Sequence, residues 1–268
     1  MKKTVLVLIT FTLVIAVAGS GFWLVHYFID SREQKETYET LAEEFVLEST
    51  PTPESTTPTE NSSPTENSSE PAESVSLTTA TPRHDLAALA EENADCVGWL
   101  TIPDTGIDYP VMHKPNDPEH YLRRDFYGNS ASGGTPFLDG RNEAQAEGQN
   151  LILYGHNMLD GTMFKPVLQY LTPNFQVTHE DIYLELNGAQ YHYQVLAALE
   201  TSARSPVYTY TGLSGAAEME DFRSMLLEET SLDAIPQAEG YLTLSTCNDQ
   251  GGDSRMLVIA ALVEDVQR

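Results

Sequence analysis

The sequence predicts a mainly β domain, a barrel or a sandwich with helical additions, preceded by an apolar N-terminal segment and a low-complexity linker. Eight short β-like runs, punctuated by Pro, Gly, Asn and Asp, occupy residues 97–102, 109–112, 135–138, 151–154, 182–186, 191–199, 241–246 and 256–263. Asn187-Gly188, between two of these runs, is a strong type I′ hairpin signal. Helical patterns are few by comparison, and many short strands with few helices indicate a barrel or sandwich.

From the N-terminus, Met1-Lys2-Lys3 precedes an uncharged apolar stretch over residues 4–28. At about 1.5 Å per residue it is long enough to cross a bilayer core of about 30 Å. Trp23, Tyr27 and Phe28 stand at its far end, where aromatic belts form, and the lysines place the N-terminus in the cytoplasm. The competing reading is a cleaved signal peptide, with Ala16-Val17-Ala18 as the cleavage site. Apolar sequence running about ten residues past that point favours an uncleaved anchor.

Residues 31–48 are charged, with Leu41, Phe45 and Val46 on one side of a short juxtamembrane helix. Residues 49–82 then change to Ser, Thr, Pro and Glu, with Pro58-Thr59-Glu60-Asn61-Ser62-Ser63 repeated at once. Such a segment cannot offset its own ordering entropy and is expected to be a disordered stalk. A coil of about 34 residues spans roughly 30–35 Å, enough to lift a domain off lipid. The expected division is therefore 1–30 anchor, 31–82 juxtamembrane segment and stalk, and 83–268 globular domain. Within the last, residues 85–93 read as a short helix and 216–228 as an amphipathic one, with Met219, Phe222, Met225 and Leu226 on one face.

Charge narrows the function. The chain carries 14 Lys+Arg against 40 Asp+Glu, a formal net charge of −26. That excludes a nucleic-acid binder and argues against a protein held to anionic lipid by basic residues. Residues 83–268 hold 10 basic and 28 acidic residues, which suits either plain solubility or a cationic or amine-bearing partner.

Two cysteines are too few for a disulfide framework. Cys96 reads as a small buried hydrophobe; a disulfide with Cys247 would consume the latter as a nucleophile. Cys247 ends one strand, and Arg255 opens the next after a hydrophilic loop containing Gly251-Gly252. If those strands pair, the two residues face each other across the loop's mouth. A guanidinium beside a thiol favours thiolate, the nucleophilic form. The alternative is a buried structural Cys and a solvated Arg. Among seven histidines, His156 stands where the strand Leu151-Ile152-Leu153-Tyr154 opens into a loop, a position suited to a proton donor, against the plainer reading of polar surface. No Gly-x-Ser-x-Gly elbow, P-loop, His-Glu-x-x-His or Cys-x-x-Cys occurs.

At these residues the sequence resembles a class B sortase from about residue 85 onward. The matching blocks are Val97-Gly98-Trp99-Leu100-Thr101-Ile102-Pro103, Ile107-Asp108-Tyr109-Pro110-Val111, Tyr121 with Asp125-Phe126-Tyr127-Gly128-Asn129, and Phe137-Leu138-Asp139 with Arg141-Asn142. Tyr154-Gly155-His156-Asn157-Met158, Asp160-Gly161-Thr162-Met163-Phe164 and Thr243-Leu244-Ser245-Thr246-Cys247 with Arg255 complete the set. The resemblance implies an eight-stranded barrel with an N-terminal helix and a helix before the strand carrying Cys247. It implies transpeptidation: Cys247 attacks the Thr carbonyl of a C-terminal sorting motif in a secreted protein, His156 protonates the departing amine, and Arg255 stabilises the oxyanion or orients the substrate. A peptidoglycan-precursor or pilin amine then resolves the thioacyl-enzyme. Ser245 and Thr246 are implied to line the substrate groove, and Asp249 is a candidate for orienting His156, against the plainer reading of a solvated loop residue. The resemblance calls for no metal and no cofactor. Pilin polymerisation, hydrolysis as the main outcome, and an inactive binding module are the alternatives.

Overall fold

The structure, a computed structural model, describes residues 2–47, 82–249 and 252–263. The Ser/Thr/Pro/Glu run, the expected stalk, and Gly251 of the loop after Cys247 lie outside the described residues.

Helix α1 (Lys2–Glu44) is a single element. The apolar stretch and the juxtamembrane segment, read separately from sequence, are one uninterrupted helix, because neither Pro nor a helix-ending turn separates them. Its first part exposes Phe11, Phe22, Trp23 and Val25. Its last part buries Ser31, Gln34, Tyr38 and Leu41 against the domain, at the i, i+3 and i+4 spacings of one helix face. After α1 the chain forms a bridge between Val46 and His84. Leu47 N donates to Arg83 O at 2.7 Å and Asp85 N to Phe45 O at 2.7 Å, so the chain on either side of residues 48–81 is hydrogen-bonded together.

Helix α2 (Leu86–Glu92) begins on Asp85, whose carboxylate accepts from Ala88 N. Strands β1 (Cys96–Ile102), β2 (Ile107–Met112), β3 (Phe137–Leu138) and β4 (Asn150–Tyr154) follow. Then come α3 (Pro173–Thr178), β5 (Asp181–Leu186), β6 (Ala189–Ser202), α4 (Ala216–Glu229), β7 (Tyr241–Cys247) and β8 (Ser254–Leu262). The strands close into a barrel in the order β1-β2-β3-β4-β7-β8-β6-β5. The eight runs expected from sequence are these eight strands. Asn187 and Gly188 adopt φ of 52° and 79° in the two-residue turn between β5 and β6, as a type I′ turn requires.

Expectation and structure differ in places. β3 is shorter than the run at 135–138, because Thr135 is engaged elsewhere: its Oγ1 donates to Arg124 O and meets the Tyr38 hydroxyl. Helix α3 and the 3-10 turns His120–Arg123, Lys165–Leu171 and Pro206–Thr209 had no sequence signal, being too short for a periodic pattern.

The core fills the barrel with Leu100, Val111, Leu151, Leu153, Leu184, Leu242, Leu244 and Val258. A second apolar layer lies outside, where Phe222, Met225 and Leu226 of α4 cover Tyr241, Leu257 and Ile259. Strands β7 and β8 are thus covered on both faces, which explains their continuous burial up to the end that carries Cys247.

Candidate active site

Strand pairing assembles the site. β4 and β7 run parallel, in register as far as Tyr154 and Ser245. His156 and Cys247 each lie two residues further on, so they leave neighbouring strands, about 4.8 Å apart, at the same level. On the other side of β7, antiparallel β8 sets Arg255 directly opposite Cys247, as expected if the two strands paired. Inside the barrel wall, Thr243 Oγ1 donates to Asn150 Oδ1 at 2.7 Å, a fully buried bond that holds the β4–β7 register.

His156, Cys247 and Arg255, with Ser245, Thr246 and Tyr154, line one groove of about 520 Å³. Cys247 is exposed and outside any disulfide. Cys96 is also a free thiol but is buried, and burial pushes its pKa up to about 12, leaving it an inert part of the core.

The His156 ring meets the Leu122 carbonyl through Nε2 at 2.8 Å. A carbonyl can only accept, so Nε2 carries the proton, and in the neutral ring Nδ1 is the basic nitrogen. Burial depresses the imidazole pKa, the Leu122 carbonyl partly restores it, and Arg123 depresses it a little further. Just before it, a Cβ at Gly155 would lie 2.5–2.7 Å from ring atoms of Phe164. Only glycine lets that ring pack beneath the start of the His156 loop.

Arg255 Nη1 donates to the Gly252 and Ser254 carbonyls, each at 3.0 Å. These two bonds anchor the guanidinium at the groove and use fewer than its five N–H donors. Ser245 Oγ pairs with the Tyr208 hydroxyl at 2.8 Å. Tyr208 stacks on Tyr154, which donates to Asp139 Oδ2 at 2.9 Å. Arg141 holds the same carboxylate through Nε and Nη2, each at 2.8 Å. Burial alone would raise the Asp139 pKa; these donors outweigh it and keep the group ionised. Among the described residues, Thr246 Oγ1 is buried without a hydrogen-bond partner.

Asp249 bonds Lys165 and Asn157. Lys165 Nζ donates to both its oxygens at 2.9 and 3.0 Å, and Asn157 Nδ2 donates to Oδ1 at 2.7 Å. Lys165 chiefly, then Asn157, hold its pKa down. Asn157 Nδ2 also reaches the Cys247 carbonyl at 3.1 Å. The result is a clamp joining the loop after His156 to the loop after Cys247.

The Sortase domain signature matches residues 100–263. A curated relative, sortase B of Listeria monocytogenes, is 33% identical over 186 residues, covering 68% of this chain and 75% of its own length. The Staphylococcus aureus sortase B–substrate complex superposes with a TM-score of 0.60 at 28% identity, over 67% of this chain and 85% of that one. A sortase B complexed with triglycine gives 0.57 at 28% identity, over 67% and 85%.

The chain belongs to the sortase family. Its relatives place it with sortase B, and the family is one of cell-wall cysteine transpeptidases. Several residues in or around this sortase's groove went unassigned in the sequence. Asp139, Arg141, Tyr154 and Asn157 stand inside the blocks that carry the resemblance, but no role attached to them. Lys165 directly follows another block. Tyr208 and the Leu122 carbonyl left no signal, since any residue supplies a carbonyl and Tyr208 arrives from a distant turn.

Proposed function

We propose that this sortase joins a secreted protein, cleaved after the Thr of a C-terminal sorting motif, to a peptidoglycan amine. Cys247 is the nucleophile and forms the thioacyl-enzyme; His156 delivers a proton from Nδ1 to the departing amine and takes one from the incoming amine. Arg255 supplies charge-assisted donors to the developing oxyanion or to the substrate backbone, where a guanidinium serves better than an ammonium. The observation that carries this reading is the register that brings all three to one groove. Ser245 and Thr246 line the substrate path, and the unpartnered Thr246 hydroxyl supports a polar contact there, since buried polar groups otherwise find partners.

The reacting state pairs imidazolium with thiolate. The burial of His156, which lowers its pKa, makes the imidazolium and hence this state rarer. A slow enzyme follows. The apolar part of α1 serves as a single-pass anchor with its N-terminus in the cytoplasm and the domain outside, a reading supported by its length and exposed apolar surface. The substrate and triglycine complexes of relatives support a sorting-motif donor and an amine acceptor.

The test incubates the full chain in detergent with a panel of sorting-motif peptides and an amine acceptor, followed by mass spectrometry. A thioacyl adduct on Cys247 and a peptide–amine product, both absent in Cys247→Ala, are expected. Cleavage without amine product would make hydrolysis the activity instead. No difference between the chain and Cys247→Ala would leave only a binding role.

A further inference from the structure

The apolar run of α1 ends at about Phe28, yet contact between the helix and the barrel starts before it ends. Leu159 N donates to the Tyr27 hydroxyl at 3.2 Å. Asp30 Oδ2 accepts from Ser132 N at 3.2 Å and from its hydroxyl, and Ser31 Oγ bonds Asp160. Gln34 Nε2 donates to Gly134 O at 2.6 Å, while its Oε1 accepts from Gly133 N at 3.2 Å. Tyr38 donates to Gly134 O at 2.9 Å, and Leu41 is buried with it in the core. From Tyr27 to Leu41, about 21 Å of helix at about 1.5 Å per residue, α1 lies along the barrel. No free turn separates the apolar run from the domain.

The hydrogen bonds from Tyr27 to Gln34 reach two loops. One contains Ser132 to Gly134. The other follows His156, and its Leu159 is 79% exposed directly beside Tyr27. An exposed Leu next to an interfacial Tyr continues the apolar surface of the helix onto the domain. Meanwhile the described residues on either side of 48–81 meet at one place, where Leu47 and Arg83 are hydrogen-bonded. A segment with its two ends joined cannot lengthen the path from anchor to barrel. Attraction of basic residues to anionic lipid is not what brings the domain down either, since residues 83–268 are strongly acidic.

We propose that the loop after His156, with Leu159 at its tip, rests on the lipid interface, so that α1 rather than residues 48–81 sets the height of the groove above the bilayer. This rests on reading α1 as the membrane anchor. The groove then has a fixed orientation: its His156 side faces the membrane, and substrate enters at headgroup level.

The test uses the full chain with Leu159→Cys and Cys247→Ala, labelled with an environment-sensitive fluorophore and reconstituted into phosphatidylcholine–phosphatidylglycerol liposomes. Flotation with the liposomes reports on the anchor. Quenching by headgroup-level doxyl lipid, against quenching by aqueous iodide, reports on position 159. The expected result is flotation, loss of emission to the doxyl lipid, protection from iodide, and no change when residues 49–81 are replaced by a short Gly-Ser link. A floating protein whose label is quenched by iodide and spared by the lipid overturns the proposal alone. So does lipid quenching that weakens as the replaced segment is lengthened. A chain that fails to float overturns the anchor and the proposal together.

Discussion

At the scale of single residues, the proposed chemistry depends on how His156 is protonated. Burial lowers its pKa, and it does the same for His113. A histidine whose folded pKa lies below its unfolded value of about 6.5 binds fewer protons folded than unfolded. Its stabilising contribution is therefore complete above about pH 6.5 and is lost as pH falls through the folded pKa. The expected outcome is a melting temperature that declines on acidification below about pH 6.5, with the decline shallower in His156→Gln. Asp139 and Asp249, both held down, give a separate loss that sets in only as pH falls below about 3.9. Thermal melts across the pH range distinguish the two windows, and a histidine window unchanged in His156→Gln would count against a depressed His156.

At the scale of elements, the β4–β7 pairing matters most, because a slip of one residue would carry His156 away from Cys247 and turn it to the other face. Thr243→Val keeps the shape but strips Asn150 Oδ1 of its buried donor. The variant should lose about 1–3 kcal/mol of stability in denaturant unfolding. The clamp of Lys165, Asp249 and Asn157 acts between loops. Asp249 is largely exposed, and exposed ion pairs contribute little to stability. Asp249→Ala should hardly move the melting temperature and should lower kcat/KM by less than about tenfold, with the same pH profile. If Asp249 instead oriented the imidazole, the profile itself would shift, which steady-state kinetics across pH would reveal.

At the scale of the whole molecule, α1 is both apolar helix and part of the domain's core. Tyr38 and Leu41 are each 1% exposed and pack with the barrel's own residues. Leu41→Ala should cost about 2–5 kcal/mol, as cavity-forming substitutions do. A chain beginning at residue 83 should melt well below one beginning at Ser31, because it leaves the cleft filled by Tyr38 and Leu41 open. Equal melting temperatures for the two would show that the helix only lies on the surface.

Local chemistry by itself determined much of this protein. Alternation and punctuation located the eight strands, Asn187-Gly188 specified its turn, and the register partners Cys247 and Arg255 followed from two strands joined by a short loop. Those features involve residues close in sequence, whose conformations depend on neighbours and on the simple need to bury an apolar face. Only the tertiary structure decided that β4 and β7 lie parallel, with Tyr154 level with Ser245, and so that His156 and Cys247 line one groove. It also gave Asp249 to Lys165 and Asn157, docked the second half of α1 on the barrel, and brought Leu47 back to Arg83. Such pairings arise from covering both faces of a closed sheet at once, a condition on the whole chain that no local pattern encodes.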